Sequence, residues 1–185
     1  MGTRSLIGVE QGDGSVVWAY CHWDGYLSHN GRRLLDHYQD PYKAWALVIG
    51  GDMSSLGEEI GEKHPFDWQL EKWNKTRVGF GSYDDSRLTD EEKAQYDLWS
   101  KWTSYYGRDR GETDIDAKLA ANAEAFFAED YGAEYWYLMT RDGEWLVKIG
   151  DGAEPITLKS AWAQEQAEEE AAKLQDHAED LSIIP

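Results

Sequence analysis

The chain has 185 residues and a single cysteine, Cys21. One thiol excludes an internal disulfide framework and any zinc site built from several cysteines. That usage suits a reducing cytosol. Cations are scarce as well: Lys and Arg number 18 against 36 Asp and Glu, a formal net charge of -18. A surface of that sign repels nucleic acid and anionic membrane and attracts basic proteins. Direct nucleic-acid binding is therefore not expected. No apolar run approaches the roughly 18 residues of a membrane span. The start, "MGTRSLIGVEQGDG", turns polar too early for a signal peptide, and Leu6 stands where a myristoylation motif wants Ser or Thr. His-x-x-x-His and His-Glu-x-x-His are both missing, and His22, His29 and His37 are too loosely spaced for a ligand set. No metal and no cofactor are expected. "GGDMSSLG" lacks the Lys-Ser/Thr ending of a phosphate loop, and Gly50-Gly51 reads better as a helix stop.

What is present describes a folded protein. Hydrophobic residues make up 41% and aromatics 14%, with 10 tryptophans, whereas disordered chains are poor in aromatics. The length fits one domain with an appendage. "RSLIGVEQGDGSVVWAYC" reads as two strands around a glycine turn. "HNGRRLLDHY" reads as a helix with Leu34, Leu35 and Tyr38 on one side. Asp40 and Pro41 are N-cap and first-turn signals for a helix that Gly50 and Gly51 end. "SSLGEEIG" suggests a further helical turn. Residues 61–88, with Phe66, Trp68, Trp73 and Phe80 among glycines and charges, suggest a long ordered loop or short strands. Thr89 and Glu92 make a capping box. In "TDIDAKLAANAEAFFAEDYG" the spacing of Ile115, Leu119, Ala123 and Phe126 predicts a helix ended by Gly132. Asp142-Gly143 predicts a second hairpin, with Trp145 and Val147 on one face and Leu146 and Lys148 on the other.

Residues 160–182 form a predicted acidic helix. Its narrow stripe of Ala167, Ala171, Leu174, Ala178 and Leu181 would dock on the body or on a second copy, as in a homodimer. The expected fold is α+β: an antiparallel sheet built from the N-terminal and C-terminal hairpins and packed by several helices. Residues 1–158 would be one domain and residues 159–185 an appended acidic helix.

At "TRSLI", "YCHWDGY", "GDMSSLG", "YGRDRGE" and "EYWYL" the chain resembles a group of small proteins encoded by bacteriophages and bacteria. The matching segments span residues 3–138. Leu27 stands where that group often has a proline after the tyrosine, which alters the turn. The resemblance implies a phage context, a host-cell cytosol and a set of positions; it implies no activity.

Two polar constellations and one aromatic set compete as sites. His22 and Asp24, two apart on an extended strand, would share a face and could tune an imidazole for proton transfer, as in a small hydrolase. The structural alternative puts Cys21 and Trp23 in the core and makes Asp24-Gly25 a turn. Arg108 and Arg110 alternate with Asp109 and could fork onto a phosphate or carboxylate together with Arg4. The alternative is an internal network with Asp24, Asp52 or Glu112. The tryptophans could stack on a ring or fill the core. The leading expectation is a phage-type counter-defence protein with a pocket of Arg4, His22, Trp23, Asp24, Tyr26, Arg108, Asp109 and Arg110. Its partner would be an anionic, nucleotide-like small molecule. The rival is an acidic DNA mimic that inhibits a basic host protein. Nothing in the sequence requires turnover.

Overall fold

A computed structural model of the chain describes the backbone of residues 2–182 and the side chains of residues 2–175. The strands β1 (Ser5–Glu10) and β2 (Val16–Cys21) form an antiparallel hairpin, from Ser5 opposite Cys21 to Glu10 opposite Val16. A π-helical turn, Leu27–Gly31, leads into α1 (Arg32–His37). The helix α2 (Pro41–Ile49) starts where expected: the Asp40 carboxylate accepts the Tyr42 N–H at 3.0 Å. It stops at Gly50 and Gly51, and Gly51 has a φ of 86°. Next come β3 (Met53–Ser55), α3 (Trp68–Thr76), the small hairpin β4 (Arg77–Gly79) and β5 (Ser82–Tyr83), and α4 (Asp90–Ser100). The Thr89–Glu92 capping box of α4 is formed in both directions. The remaining elements are β6 (Ser104–Tyr105), β7 (Lys118–Ala120), α5 (Ala123–Phe127), β8 (Tyr135–Met139), β9 (Trp145–Ile149), β10 (Ile156–Thr157) and α6 (Leu158–Ser182).

The fold is α+β. Its main sheet runs β10-β9-β8-β1-β2-β3-β6, with β7 on the first half of β2. Both predicted hairpins are present. They join through a parallel pair, β1 with β8, so the sheet is mixed at that seam. Alternation gives it two apolar faces. Ile7, Val9, Ala19, Cys21, Tyr137, Met139, Trp145 and Val147 pack under α1, α2 and the start of α6. Leu6, Trp18, Trp136 and Leu138 pack with Phe126 of α5 on the other side. Leu146 joins this second face, and the Lys148 ammonium lies 4.3 Å from the Trp136 ring centroid. A third cluster of Trp68, Leu88, Tyr96 and Trp99 holds α3 to α4. Residues 61–103 thus form an insertion with its own small core.

Three expectations are corrected. Residues 113–131 are not one helix. Lys118–Ala120 pairs with β2 as a strand, and Asn122 caps the short α5 by accepting the Ala125 N–H at 2.8 Å. Tertiary pairing outweighs the helical spacing there. "SSLGEEIG" contributes β3 and a bridge from Glu59 to Trp102 instead of a helical turn. Within residues 61–88 short strands are present as β4 and β5, but the main element is the unexpected helix α3.

The acidic helix α6 begins inside the body. Leu158 and Ala161 are core residues, and Arg32 stacks on Trp162 at 5.5 Å. The stripe residues Ala167, Ala171 and Leu174 face solvent, while the side chains of Ala178 and Leu181 lie outside the described residues. Truncation after Ala167 should leave the thermal midpoint within about 2 °C, as surface changes usually do. Truncation before Leu158 should cost about 2–5 kcal/mol, the scale of emptying one large buried position. Calorimetry of the two shortened chains separates these outcomes.

Candidate functional site

Three of the motif segments meet at one sheet edge. Cys21 of β2 pairs with Met53 of β3, and Met53 pairs with Tyr105 of β6. The other two segments enter from behind: the Gly25 N–H donates to Thr3 O at 2.8 Å, and Tyr137 Oη donates to Gly25 O at 2.7 Å. A Cβ on residue 25 would sit 2.8–2.9 Å from backbone atoms of Arg4 and Thr3. Glycine is required there by that approach. The chain turns sharply just before it, with Asp24 at a φ of 57°.

This turn explains the fate of the predicted His22–Asp24 pair. The strand ends at Cys21, so alternation does not carry His22 and Asp24 onto one face. His22 Nδ1 lies 2.8 Å from Tyr20 Oη, and its ring stands edge-on to Trp23 at 4.6 Å. Burial, then the nearby Arg4 charge, lowers the His22 pKa. Asp24 is instead 4.0 Å from His29 Nε2. His29 Nδ1 lies 2.9 Å from Asn30 Oδ1, and its pKa is lowered, chiefly by burial. Tyr26 is exposed at the start of the π-helical turn. Cys21 is wholly buried, its thiol pushed up to about 11 by desolvation, so it is a core side chain and not a nucleophile.

The "YGRDRGE" segment is a clamp. Arg108 Nη1 donates to Ile60 O at 2.9 Å and Gly61 O at 3.0 Å, at the entry to the insertion. Its Nη2 donates to Thr103 O at 2.6 Å, at the exit. The Asp109 carboxylate is fully buried and accepts from Arg108 Nε at 2.8 Å, Arg108 Nη2 at 2.9 Å, the Tyr105 N–H at 2.8 Å and the His64 N–H at 3.2 Å. Arg108 and Asp109 therefore tie both ends of residues 61–103 together, and the fork of Arg108 is occupied. Arg108 is thus held by the adjacent Asp109 and by backbone carbonyls, and not by Asp24, Asp52 or Glu112. Arg110 pairs with Glu112 at 3.2 Å and stacks over Phe66 at 5.0 Å. Asp52 pairs with Lys118, both carboxylate oxygens at 2.7 Å.

Between the insertion and the sheet edge lies a cleft of about 360 Å³. Trp23, Phe66, Trp68 and Trp73 wall it, and Asp24, Ser54, Ser55, Gln69 and Ser104 supply its polar surface. A lobe of about 110 Å³ shares Asp24, Ser55, Trp68, Gln69 and Ser104 and extends to His29 and Arg33. Arg33 also donates to Leu56 O.

Of the predicted site residues, Trp23 and Asp24 line this space. Arg110 backs its Phe66 wall, and Arg108 with Asp109 holds the insertion that forms its far side. His22 lies behind Trp23. Arg4 lies on that side too, close enough to lower the Tyr20 pKa, although burial of Tyr20 outweighs it and the net direction is up. Two residues of the site had no sequence signal, His64 and Ser104. His64 Nε2 lies 3.2 Å from Ser104 Oγ, and Nδ1 lies 3.1 Å from Glu62 O. The ring is stacked on Trp99 at 6.4 Å and edge-on to Trp102 at 5.8 Å.

Comparison with protein-family models, with curated proteins and with solved structures finds no match to this chain. No helix among the described residues is long and apolar enough to cross a membrane.

Proposed function

We propose that the chain is a phage-type accessory protein that takes a small, flat-ringed, nucleoside-like molecule into the cleft and withholds it from a host defence signal. The observation that supports this is the set of aromatic walls, Trp23, Phe66, Trp68 and Trp73, around a floor of hydroxyls. Aromatic walls with a few placed polar groups are the usual build of a small-ligand site, and the volume falls in that range. Trp23 and Trp73 are about half exposed, at 46% and 52%, and so are free to stack.

The charge lining narrows the ligand. Arg108 is occupied by Asp109 and by carbonyls, which leaves Arg33 as the cation that lines the smaller lobe, with Asp24 facing the same space. That pairing suits a neutral ring or one anionic group better than a polyphosphate. A second reading, an acidic inhibitor of a basic host protein, draws on α6, whose residues 166–175 are all exposed.

The test is a tryptophan-fluorescence titration with a nucleoside, its monophosphate and its triphosphate. The first two are expected to bind more tightly than the third. Trp73→Ala should weaken binding by about 10-fold or more, since a stacked ring is worth roughly 1–3 kcal/mol. Arg4→Ala, which lies off the cleft, should leave it unchanged. Absence of binding by any of the three at millimolar concentration would sink the reading.

A further inference from the structure

The floor of the cleft carries a hydroxyl beside a base. Ser104 lines both lobes of the cleft and is 7% exposed, so its hydroxyl is shielded from bulk solvent and adjoins any occupant. His64 Nε2 is 3.2 Å from that hydroxyl. The neighbours of the ring decide its tautomer. Nδ1 lies 3.1 Å from a carbonyl, Glu62 O, which can only accept, and 3.4 Å from Arg108 Nη2, whose two hydrogens already go to Thr103 O at 2.6 Å and Asp109 Oδ2 at 2.9 Å; Nδ1 therefore carries the proton and donates to Glu62 O. Nε2 is left with its lone pair toward Ser104 Oγ–H. That is the arrangement a serine nucleophile needs, with a carbonyl in the place of the third, orienting group. The His64 side chain is wholly buried between two indoles, so its orientation is fixed before any ligand arrives.

We infer that Ser104, with His64 as its base, is a nucleophile toward carboxylic esters that carry a flat ring. Ser104 Oγ attacks the ester carbonyl carbon and passes its proton to His64 Nε2. The tetrahedral adduct collapses as the bond to the alcohol oxygen breaks, and His64 returns the proton to the departing alkoxide. Water then attacks the acyl carbon and gives a proton to Nε2. The acyl–Oγ bond breaks, Ser104 recovers its proton, and the acid leaves. The hydroxyls of Ser54 and Ser55 and the carboxamide of Gln69 line the same space and carry the donors that an oxyanion requires.

The electrostatics select esters over phosphate esters. A phosphoryl group arrives with its own negative charge. Here Asp24 faces the cleft, and the nearest guanidinium to His64, Arg108 at 3.4 Å, is already bound to Asp109. They also set the pace. Asp109 Oδ1 is 3.7 Å from His64 Nδ1, but its charge is spent on Arg108, so the imidazolium formed in each step gains little from it. Turnover should be slow, and with a good leaving group, whose departure needs no proton, acylation outpaces hydrolysis and the acyl-enzyme should accumulate.

The inference rests on the cleft's being a ligand site, and the experiment keeps the two apart. The full chain is incubated with para-nitrophenyl acetate, whose leaving group is a flat ring. Nitrophenolate release is followed, and the acylated residue is located by peptide mass spectrometry. The expected result is a burst of release and an acetyl group on Ser104. Ser104→Ala should abolish the adduct and lower release by about 10²-fold, the scale of a positioned acid–base pair. The same variant should keep its fold, since the change removes one hydroxyl and leaves the β6 pairing in place. Acetylation confined to lysines or tyrosines, or release unchanged in Ser104→Ala, overturns the inference while leaving the binding reading intact. Acetylation of Ser104 at a rate unaffected by Trp73→Ala keeps the nucleophile and removes the cleft walls from substrate binding.

Discussion

Asp109→Ala is expected to destabilise the fold by about 3–5 kcal/mol, the cost of removing one partner from a buried ion pair. The carboxylate accepts four hydrogen bonds and is fully buried. Its loss leaves the Arg108 guanidinium without its counter-charge in a mostly buried place, with a side-chain exposure of 24%. It also leaves the Tyr105 and His64 N–H groups without an acceptor, and buried donors without partners are expensive. The damage should be local first. Both ends of residues 61–103 hang on this pair, so the insertion should loosen before the main sheet does. A urea titration should show a lower midpoint, and limited proteolysis should cut between Gly61 and Trp68 before it cuts elsewhere. Asp109→Asn keeps the shape and one acceptor and should cost less. A midpoint unchanged in Asp109→Ala would mean the clamp contributes nothing. The same reasoning changes what Arg108→Ala can report. Loss of binding in that variant would follow from a loosened insertion as readily as from a lost ligand contact.

Features encoded within a few residues were readable in the sequence. The Thr89–Glu92 box, the Asp40 cap and the Asp142-Gly143 turn each carry their own partners, and each is formed. The helix α3 was not readable, because Trp68, Leu70 and Trp73 follow a proline and flank charged residues, and the partners of Trp68, Leu88 and Tyr96, lie in later segments. The spacing of Ile115, Leu119, Ala123 and Phe126 was real but misleading. The competing β2 edge is far away in sequence, and Asp114, at a φ of 60°, takes the backbone off a helical path. "YGRDRGE" was recognisable as charged and special. Its acceptors beyond its own Asp109 and Glu112 are the backbone carbonyls of Ile60, Gly61 and Thr103, which have no letter in a sequence. The pair of His64 and Ser104 is 40 residues apart, and only the closing of the insertion brings them together.

The geometry of that closing point also makes Gly57→Ala expensive. A Cβ at residue 57 would lie 2.4–2.5 Å from the carbonyl carbon of Trp102, the oxygen of Lys101 and the nitrogen of Thr103. All three are backbone atoms, so no side chain can swing aside. The two segments must part, and with them the bonds that hold them: Gly57 N–H to Thr103 Oγ1 at 3.0 Å, Glu59 N–H to Lys101 O at 2.9 Å, and Thr103 N–H to Glu59 O at 2.8 Å. Overpacking of this kind costs about 1–3 kcal/mol and displaces backbone. Ser104 is the next residue along, paired with Ser55, so the displacement enters the cleft floor directly. Gly57→Ala is therefore expected both to lower the urea midpoint and to reduce acylation of Ser104 well below that of the parent chain at temperatures where the variant is still folded. Gly12, whose added Cβ would meet nothing, provides the matched control: Gly12→Ala should change neither quantity. A folded Gly57→Ala variant that acylates Ser104 at the parental rate would show that the spacing of the two segments does not set the position of the serine.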